Sequence, residues 1–169
     1  MRSPPREPEG DMFAEMTDLI PAARRGVAEI KHVTGQEACC QLWVHGKCVM
    51  NAAPSLEVGL NRPVVEAAHG DVLITGLGIG YILVPILAKP EVRSVTVIEK
   101  CQDVVDLVLP YLAHPKLTVI LADAFEWVPC GAYDTMWFDI YPHDEQVGIT
   151  LMNRFAPYLR PGGWAKSIF

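Results

Sequence analysis

The sequence has few basic residues and no clustered basic surface. Its 169 residues carry 14 Lys and Arg against 20 Asp and Glu, a formal net charge of −6 at neutral pH. The only basic doublet is Arg24-Arg25. Because binding to nucleic-acid phosphates needs grouped Lys and Arg side chains, we expect no nucleic-acid partner.

Long hydrophobic runs are also missing. No apolar stretch reaches the roughly 18 residues of a membrane-spanning helix, and residues 1–11 are polar and proline-rich, unlike an export signal. Half of the residues are apolar, enough for one domain with a core. We therefore predict a cytoplasmic protein without a membrane partner, in which residues 1–11 form a flexible tail.

The cysteines do not form a disulfide pattern. There are five of them, an odd number, and Cys39 and Cys40 are adjacent; neither feature is typical of a disulfide framework. Cys39, Cys40, His45 and Cys48 are close enough in sequence to suggest a metal site. No Cys-x-x-Cys pair is present, however, and neighbours on a strand point to opposite faces. We predict reduced thiols and no metal.

Residues 12–70 are predicted to form an N-terminal helix, a small β segment and a second helix. Three short β-like pieces surround a tight turn at His45-Gly46. The second helix should begin with Ser55 as N-cap, kink at Pro63, and bury one apolar side. The predicted elements are the helix Met12–Leu19, the strands Val27–Val33, Ala38–Val44 and Lys47–Met50, and the helix Pro54–Ala68 with the apolar residues Leu56, Leu60, Val64 and Val65.

From residue 71 to residue 169, strands alternate with helices. This alternation predicts an α/β domain of the Rossmann-like, doubly wound type, whose mainly parallel sheet follows the small β segment. Several strands are continuous apolar runs, which indicates that helices cover both faces. The predicted strands are Asp71–Thr75, Ser94–Glu99, Leu117–Leu121, Asp134–Ile140 and Trp164–Phe169, and the helices are Ile79–Ala88, Gln102–Leu112 and Gln146–Leu159.

A glycine-rich turn follows the first of these strands. Gly76, Gly78 and Gly80 are spaced as Gly-x-Gly-x-Gly between a strand and a helix. Glycine accepts positive φ and lets a ligand approach the backbone, so we interpret the turn as a cofactor cradle. The alternative is a turn with no ligand.

Three further strand ends carry acids. Glu99 can accept both hydrogen bonds of a ribose diol, unless it is a solvated acid beside Lys100. Asp123 can accept from an adenine amino group with Phe125 or Trp127 over the ring, or merely cap the following turn. Asp139 either meets the substrate or ends a strand before a rigid turn. Ligands of open parallel sheets bind at the carboxyl ends of strands, so these points are predicted to converge.

Taken in chain order, four stretches resemble the class I S-adenosylmethionine-dependent methyltransferase fold: Ile74–Gly80, Val95–Glu99, Ala122–Phe125 and Tyr133–Asp139. The likeness covers about residues 71–169, and Leu159–Gly163 is similar to the turn before that fold's fifth strand. It implies S-adenosylmethionine as cofactor, held by Gly76, Gly78, Gly80, Glu99, Asp123, Ala124 and Phe125. The last strands of the usual fold would be missing, so we expect a sheet edge through which a homo-oligomer can form.

Two branches of this fold compete. Spermidine-synthase-like aminopropyltransferases are similar in having an apolar residue at Ile74 and a β-rich segment before the domain, but they follow their catalytic acid with a Ser-Ser-Asp-like run. Asp139-Ile140-Tyr141-Pro142 instead resembles the Asp-x-Tyr-Pro of guanidinoacetate methyltransferase and its relatives. That resemblance implies that Asp139 orients a nitrogen nucleophile.

Three functions follow from these resemblances. The first is methyl transfer to a small amine or guanidino acceptor, with Asp139 and Tyr141 as catalytic residues. The second is aminopropyl transfer, and the third is a non-catalytic nucleotide-binding or partner-binding domain. Glu57, Asn61 and Arg62, on the helix before the first strand of the domain, are candidates to close the pocket, whereas residues 143–145 are expected to form a solvated helix start.

Overall fold

A computed structural model describes residues 19–35, 38–142 and 144–168. The predicted tail, nearly all of the predicted helix Met12–Leu19, and residues 143 and 169 lie outside the described residues. The described chain forms two sheets with four α-helices. None of these helices is long and apolar enough to cross a bilayer.

The small β segment is a four-stranded antiparallel sheet. Its strands are β1 (Ala23–Arg25), β2 (Ala28–Val33), β3 (Cys39–Val44) and β4 (Lys47–Ala52), and they lie in chain order. β3 and β4 are joined at His45-Gly46, where both residues have positive φ, as a two-residue hairpin turn requires. β1 was not predicted from the sequence; it is a three-residue edge strand whose residues are all exposed.

Helix α1 (Pro54–Ala67) connects the two sheets, and two expectations about it were wrong. Ala53, not Ser55, is the N-cap, and no side chain caps the helix, because the proline at the first helical position starts it two residues earlier than a Ser55 cap would. The helix continues through Pro63, as predicted, and the kink expected there stays a prediction. Leu56 and Leu60 are 57% and 42% exposed, while Glu57 and Asn61 are buried.

The large sheet has five parallel strands in the order β7-β6-β5-β8-β9. It is the predicted α/β sheet, and its central strand is the apolar run that precedes the glycine-rich turn. The strands are β5 (Gly70–Thr75), β6 (Val92–Glu99), β7 (Leu117–Leu121), β8 (Tyr133–Phe138) and β9 (Leu159–Ser167), and the helices are α2 (Leu83–Ala88), α3 (Gln102–Val108) and α4 (Glu145–Phe155).

Helices cover both faces of this sheet, as a doubly wound fold requires. Alternate residues of β5 separate into two cores. Val72 and Ile74 pack with residues of α1, α2, α3 and the small sheet, whereas Leu73 packs with Leu151 and Phe155 of α4. The fold class predicted from the sequence is confirmed.

Several element boundaries differ from the prediction. α2 begins at Leu83 rather than Ile79, because Gly78 and Gly80 have positive φ and the chain turns before it becomes helical. β8 ends at Phe138, so Asp139 and Ile140 lie beyond the strand. β9 begins at Leu159 and includes Pro161; its register against β8 shifts at this point, as an edge strand tolerates.

Ion pairs connect four strands of the large sheet near their amino ends. Arg93 of β6 and Arg160 of β9 each form ion pairs with Asp71 of β5 and Asp134 of β8, at 2.6 to 2.8 Å. The Arg93 hydrogen bond, followed by those of Arg160 and Ser94, lowers the pKa of Asp71 to about 2 despite some burial. This cluster is at the edge opposite to the predicted ligand crevice and holds the strands together.

Candidate functional site

A cavity of about 440 Å³ lies at the carboxyl ends of the parallel strands, beneath the small sheet. The predicted site residues come from four separate strand ends, and nearly all of them line this one space. They are Gly76, Gly78, Glu99, Asp123, Ala124, Phe125, Asp139 and Tyr141. The structure therefore brings together the groups that the sequence analysis singled out.

Gly80 is the exception, because it does not line the cavity. A Cβ at this position would overlap Cδ1 of Leu112, a buried residue after α3. Its φ is +72°. The third glycine of the turn thus permits close packing under the loop, and its predicted contact with the cofactor stays a prediction.

Gly76 brings the glycine turn against the end of β8. Its φ is +88°, and a Cβ here would overlap the carbonyl oxygen of Asp139. The Gly76 amide donates to the carbonyl of Ile98 at 2.8 Å, and the Asp139 amide donates to the carbonyl of Thr75 at 3.1 Å. Only a residue without a side chain allows the turn and Asp139 to approach this closely.

Glu99 holds the rim of the cavity in place. One carboxylate oxygen accepts from the Leu77 amide of the glycine turn at 2.9 Å, and the other accepts from the Cys101 amide before α3 at 2.8 Å. Each oxygen retains a lone pair. Glu99 is therefore not a solvated acid beside Lys100: it braces the turn and keeps acceptor capacity toward the cavity.

Asp123 caps the turn that follows β7 and also lines the cavity. Its Oδ1 accepts from the Phe125 amide at 2.8 Å, and its carbonyl accepts from the amides of Glu126 and Trp127, so it caps the turn after β7. It also lines the cavity, with Ala124 and the 41% exposed ring of Phe125 beside it. A flat apolar wall next to a carboxylate suits a heteroaromatic base with an exocyclic amine.

Asp139 and Tyr141 lie on the loop that follows β8. Asp139 is half-buried and Tyr141 is 46% exposed, and both face the same cavity as the glycine turn. Asp144, further along the loop, caps α4 by accepting from the amides of Gln146 and Val147. Asp144 thus belongs to the helix start, whereas Asp139 belongs to the site.

The small sheet forms the roof of the cavity, which the sequence analysis missed. Apolar side chains of β3 and β4 line it: Leu42, Val44, Val49 and Met50. A Cβ on Gly78 would be 2.8 Å from the Met50 sulfur, so this roof lies directly on the glycine turn. The available signal was the apolar alternation of these strands, which requires a second surface to cover it.

Two of the three candidates on α1 also reach the cavity. Glu57 and Asn61 line it, while Arg62 is exposed and does not. Asn61 is 1% exposed and Glu57 is 8% exposed. The Asn61 amide group donates to the Glu57 carboxylate at 2.6 Å and to the Glu57 carbonyl at 3.1 Å. The buried side of α1 is therefore polar where it meets the cavity.

The cysteines lie apart from this chemistry. Cys39 and Cys40 are buried in β3, and burial, with Cys39 alongside, raises the pKa of Cys40 to about 11. Such a thiol stays protonated and unreactive at neutral pH. Among the described residues, no group of three or more His, Cys, Asp and Glu side chains is arranged to hold a metal ion.

Solved structures with the same architecture include spermidine synthase from Thermotoga maritima. It is 16% identical and aligns with 83% of this chain and 53% of its own, at a TM-score of 0.60. The N-methyltransferase NodS from Bradyrhizobium japonicum, also 16% identical, aligns with 65% of this chain and 64% of its own, at 0.53. This chain has the class I methyltransferase fold.

A comparison of amino-acid sequences also finds a methyltransferase. Putrescine N-methyltransferase 1 from Nicotiana tabacum is 33% identical over 54% of this chain. The chain spans only 28% of that relative's length. No protein-family model matches the chain.

Proposed function

We propose that this protein is an S-adenosylmethionine-dependent methyltransferase that acts on a small amine or guanidino acceptor. The observation that carries the proposal is the convergence of the glycine turn, Glu99, Asp123 and Asp139 on one cavity. The N-methyltransferases among the similar proteins support it. The net charge of −6 favours a small acceptor over a nucleic acid, and we keep cytoplasmic location as a prediction.

The cavity fits the proposed cofactor in size and in chemistry. Its volume of about 440 Å³ is within the range of small-molecule sites. Glu99 would accept from the ribose hydroxyls, the Asp123 carboxylate would accept from the adenine amine, and Gly76 and Gly78 would leave room for the sulfonium tail. Bound S-adenosylmethionine would supply a methyl group that its positive sulfur already activates.

The protein's own contribution is alignment in a dry site. The acceptor nitrogen forms a bond to the methyl carbon while the carbon–sulfur bond breaks, and the sulfur keeps the electron pair. Asp139 accepts a hydrogen bond from the acceptor N–H, directs the lone pair toward the methyl group, and takes the proton that the nitrogen releases. Tyr141 shapes the opening of the cavity, and the apolar side chains of β3 and β4 that form its roof exclude water.

Aminopropyl transfer is the second candidate, and one observation favours it. The alignment with spermidine synthase covers 83% of the chain, more than residues 71–169 alone, so it extends into the small sheet and α1. Decarboxylated S-adenosylmethionine would then replace S-adenosylmethionine as donor. Binding preference between the two sulfonium compounds distinguishes these candidates.

The test combines binding and turnover. Calorimetric titration with S-adenosylhomocysteine should show one site, and mass spectrometry should detect methylated products from a panel of primary amines and guanidines. A strong preference for the decarboxylated sulfonium, with transfer of an aminopropyl group, would replace methyl transfer with the second candidate. Binding of S-adenosylhomocysteine without turnover of either donor would support the non-catalytic domain instead.

A further inference from the structure

The turn between β1 and β2 attaches the small sheet to helix α3. Arg25 and Ala28 pair across this turn, so Gly26 and Val27 are its two central residues. The Val27 amide donates to Oδ2 of Asp103, in the first turn of α3, at 2.9 Å. These two residues are 76 positions apart in the chain. The hydrogen bond therefore fixes a turn of one sheet against a helix that packs on the other.

Two neighbouring contacts show that the turn and α3 fit one another closely. Gly26 has a φ of +50°, and a Cβ there would overlap the Asp103 carboxylate, so glycine lets the turn approach this acid. Beside it, Arg25 Nε forms an ion pair with Oδ2 of Asp106, three residues further along α3, at 2.7 Å. Arg25 is exposed, and a surface ion pair contributes little by itself. We therefore attribute the attachment chiefly to the carboxylate of Asp103.

Val27 also holds the tip of the roof. The roof tip is the turn between β3 and β4, residues 44–47, and three of its four residues line the cavity. The His45 amide of the roof tip donates to the Val27 carbonyl at 2.9 Å. Val27 thus accepts from the roof tip with its carbonyl and donates to Asp103 with its amide. Because one residue makes both hydrogen bonds, a shift of Val27 away from α3 moves the roof tip as well.

The other end of this connection is at the proposed cofactor site. Asp103 lies two residues after Cys101, whose amide donates to Glu99 at 2.8 Å. Glu99 also accepts from the Leu77 amide of the glycine turn. Asp103 itself is half-buried and does not line the cavity, so its effect on a bound ligand passes through the residues that it holds. Hydrogen bonds and a short stretch of chain therefore connect the glycine turn with the roof tip.

We infer that Asp103 is a positioning residue, which holds the roof tip over the cavity and thereby slows the release of the bound cofactor. The inference rests on the proposed function for the identity of that ligand. A carboxylate suits this position because it accepts from a backbone amide more strongly than a neutral group does. The alternative role is that of an acid that only stabilises the start of α3, which the helix dipole favours.

Hydrogen exchange of the ligand-free protein separates these two roles. Asp103→Ala removes the acceptor, and amide exchange in residues 44–47 should become about tenfold faster, the scale of one hydrogen bond to a charged group. Asp103→Asn keeps an acceptor oxygen and should restore most of the protection. An acid that only stabilises α3 would change exchange in the helix and the parallel strands but not in the roof tip, which opens locally. That result would overturn the inference.

A second variant tests the same contact from the side of the turn. Gly26→Ala places a Cβ against the Asp103 carboxylate and should speed exchange of the roof tip as Asp103→Ala does. Gly162→Ala is the matched control, because Gly162 also has a positive φ, +79°, but open space where the Cβ would lie. Gly162 is on β9 and does not line the cavity. Equally fast exchange of the roof tip in Gly162→Ala would assign the effect to backbone strain and overturn the inference. If Asp103→Ala or Gly26→Ala does not fold, the other variant still decides.

Ligand release distinguishes failure of this inference from failure of the proposed function. In a stopped-flow chase, S-adenosylhomocysteine should dissociate about tenfold faster from Asp103→Ala than from the wild type, with association within about twofold. Unchanged dissociation despite a faster-exchanging roof tip would overturn the inference and leave the proposed function standing. A wild type that does not bind S-adenosylhomocysteine would refute the proposed function, and Asp103-dependent protection of the roof tip would still support the positioning role.

Discussion

Replacing Glu99 by Gln tests the link between the glycine turn and the cofactor. The carboxylate accepts from two backbone amides, those of Leu77 and Cys101, at 2.9 and 2.8 Å. A glutamine side chain has one acceptor oxygen and one donor NH₂ group. It can satisfy only one of the two amides, and it sets an N–H group against the other.

The expected cost follows from these two contacts. A hydrogen bond to a charged group contributes about 1.5 to 3 kcal/mol, so the free energy of unfolding should fall by an amount of this order. The proposed ribose contacts use the same two oxygens, so cofactor affinity should fall by about 1.5 to 3 kcal/mol, which is about 10-fold to 150-fold in Kd.

Two assays separate these effects. Urea denaturation of the ligand-free protein measures the stability term, and calorimetric titration with S-adenosylhomocysteine measures Kd at a temperature where both variants are folded. Glu126→Gln is the control, because Glu126 is an exposed acid in the neighbouring turn and does not line the cavity. An unchanged Kd for Glu99→Gln, with the expected loss of stability, would show that Glu99 braces the turn and does not bind ribose.

Four further outcomes are expected. Asp139→Asn should leave the Kd for S-adenosylhomocysteine within about twofold and reduce methyl transfer at least about 100-fold, as loss of a catalytic acid–base group does; unchanged turnover would exclude Asp139 from catalysis. Gly76→Ala should lower the free energy of unfolding by about 1 to 2 kcal/mol or more, since φ is +88° and the new Cβ overlaps the Asp139 carbonyl oxygen; denaturation by urea measures this. Asp71 has a pKa lowered from 3.8 to about 2, so its contribution is present above pH 3.8 and is lost as the pH falls through 2; between pH 5 and pH 2, Asp71→Asn should lose about 1 to 2 kcal/mol less stability than the wild type in denaturation titrations, after allowance for solvent screening. Iodoacetamide at pH 8 should label the exposed Cys130 and spare the buried Cys40, whose pKa is about 11; mass spectrometry of the peptides checks this.

The parallel sheet was predictable because its signals are local. The apolar runs of β5, β6 and β8 each end in a turn, and the limits of β7 were predicted to the residue. The Gly-x-Gly-x-Gly spacing after β5 predicted a tight turn, and Gly76, Gly78 and Gly80 all have positive φ. The ends of helices were predicted less well, since Pro157 and the turn at Gly78 act through backbone geometry that composition alone does not determine.

The roof and the polar face of α1 could not be predicted in the same way. On sequence, Leu56 and Leu60 define an apolar side for α1, yet they are exposed and Glu57 and Asn61 are buried. Helical periodicity assigns hydrophobic residues to the core by default, and it fails here, where Glu57 and Asn61 of the helix line a cavity. The failure is therefore located at the candidate site, where local rules most often conflict with function.

The acidic residues at the two ends of the parallel sheet have different hydrogen-bond partners. At the amino ends, Asp71 and Asp134 are neutralised by Arg93 and Arg160 within 2.8 Å, so these charges stabilise the sheet and have little capacity left for a ligand. At the carboxyl ends, acids such as Glu99 and Asp123 accept from backbone amides, which orients them and leaves lone pairs directed at the cavity. The arginine-paired acids Asp71 and Asp134 do not line the cavity, whereas Glu99 and Asp123, which accept from backbone amides, do.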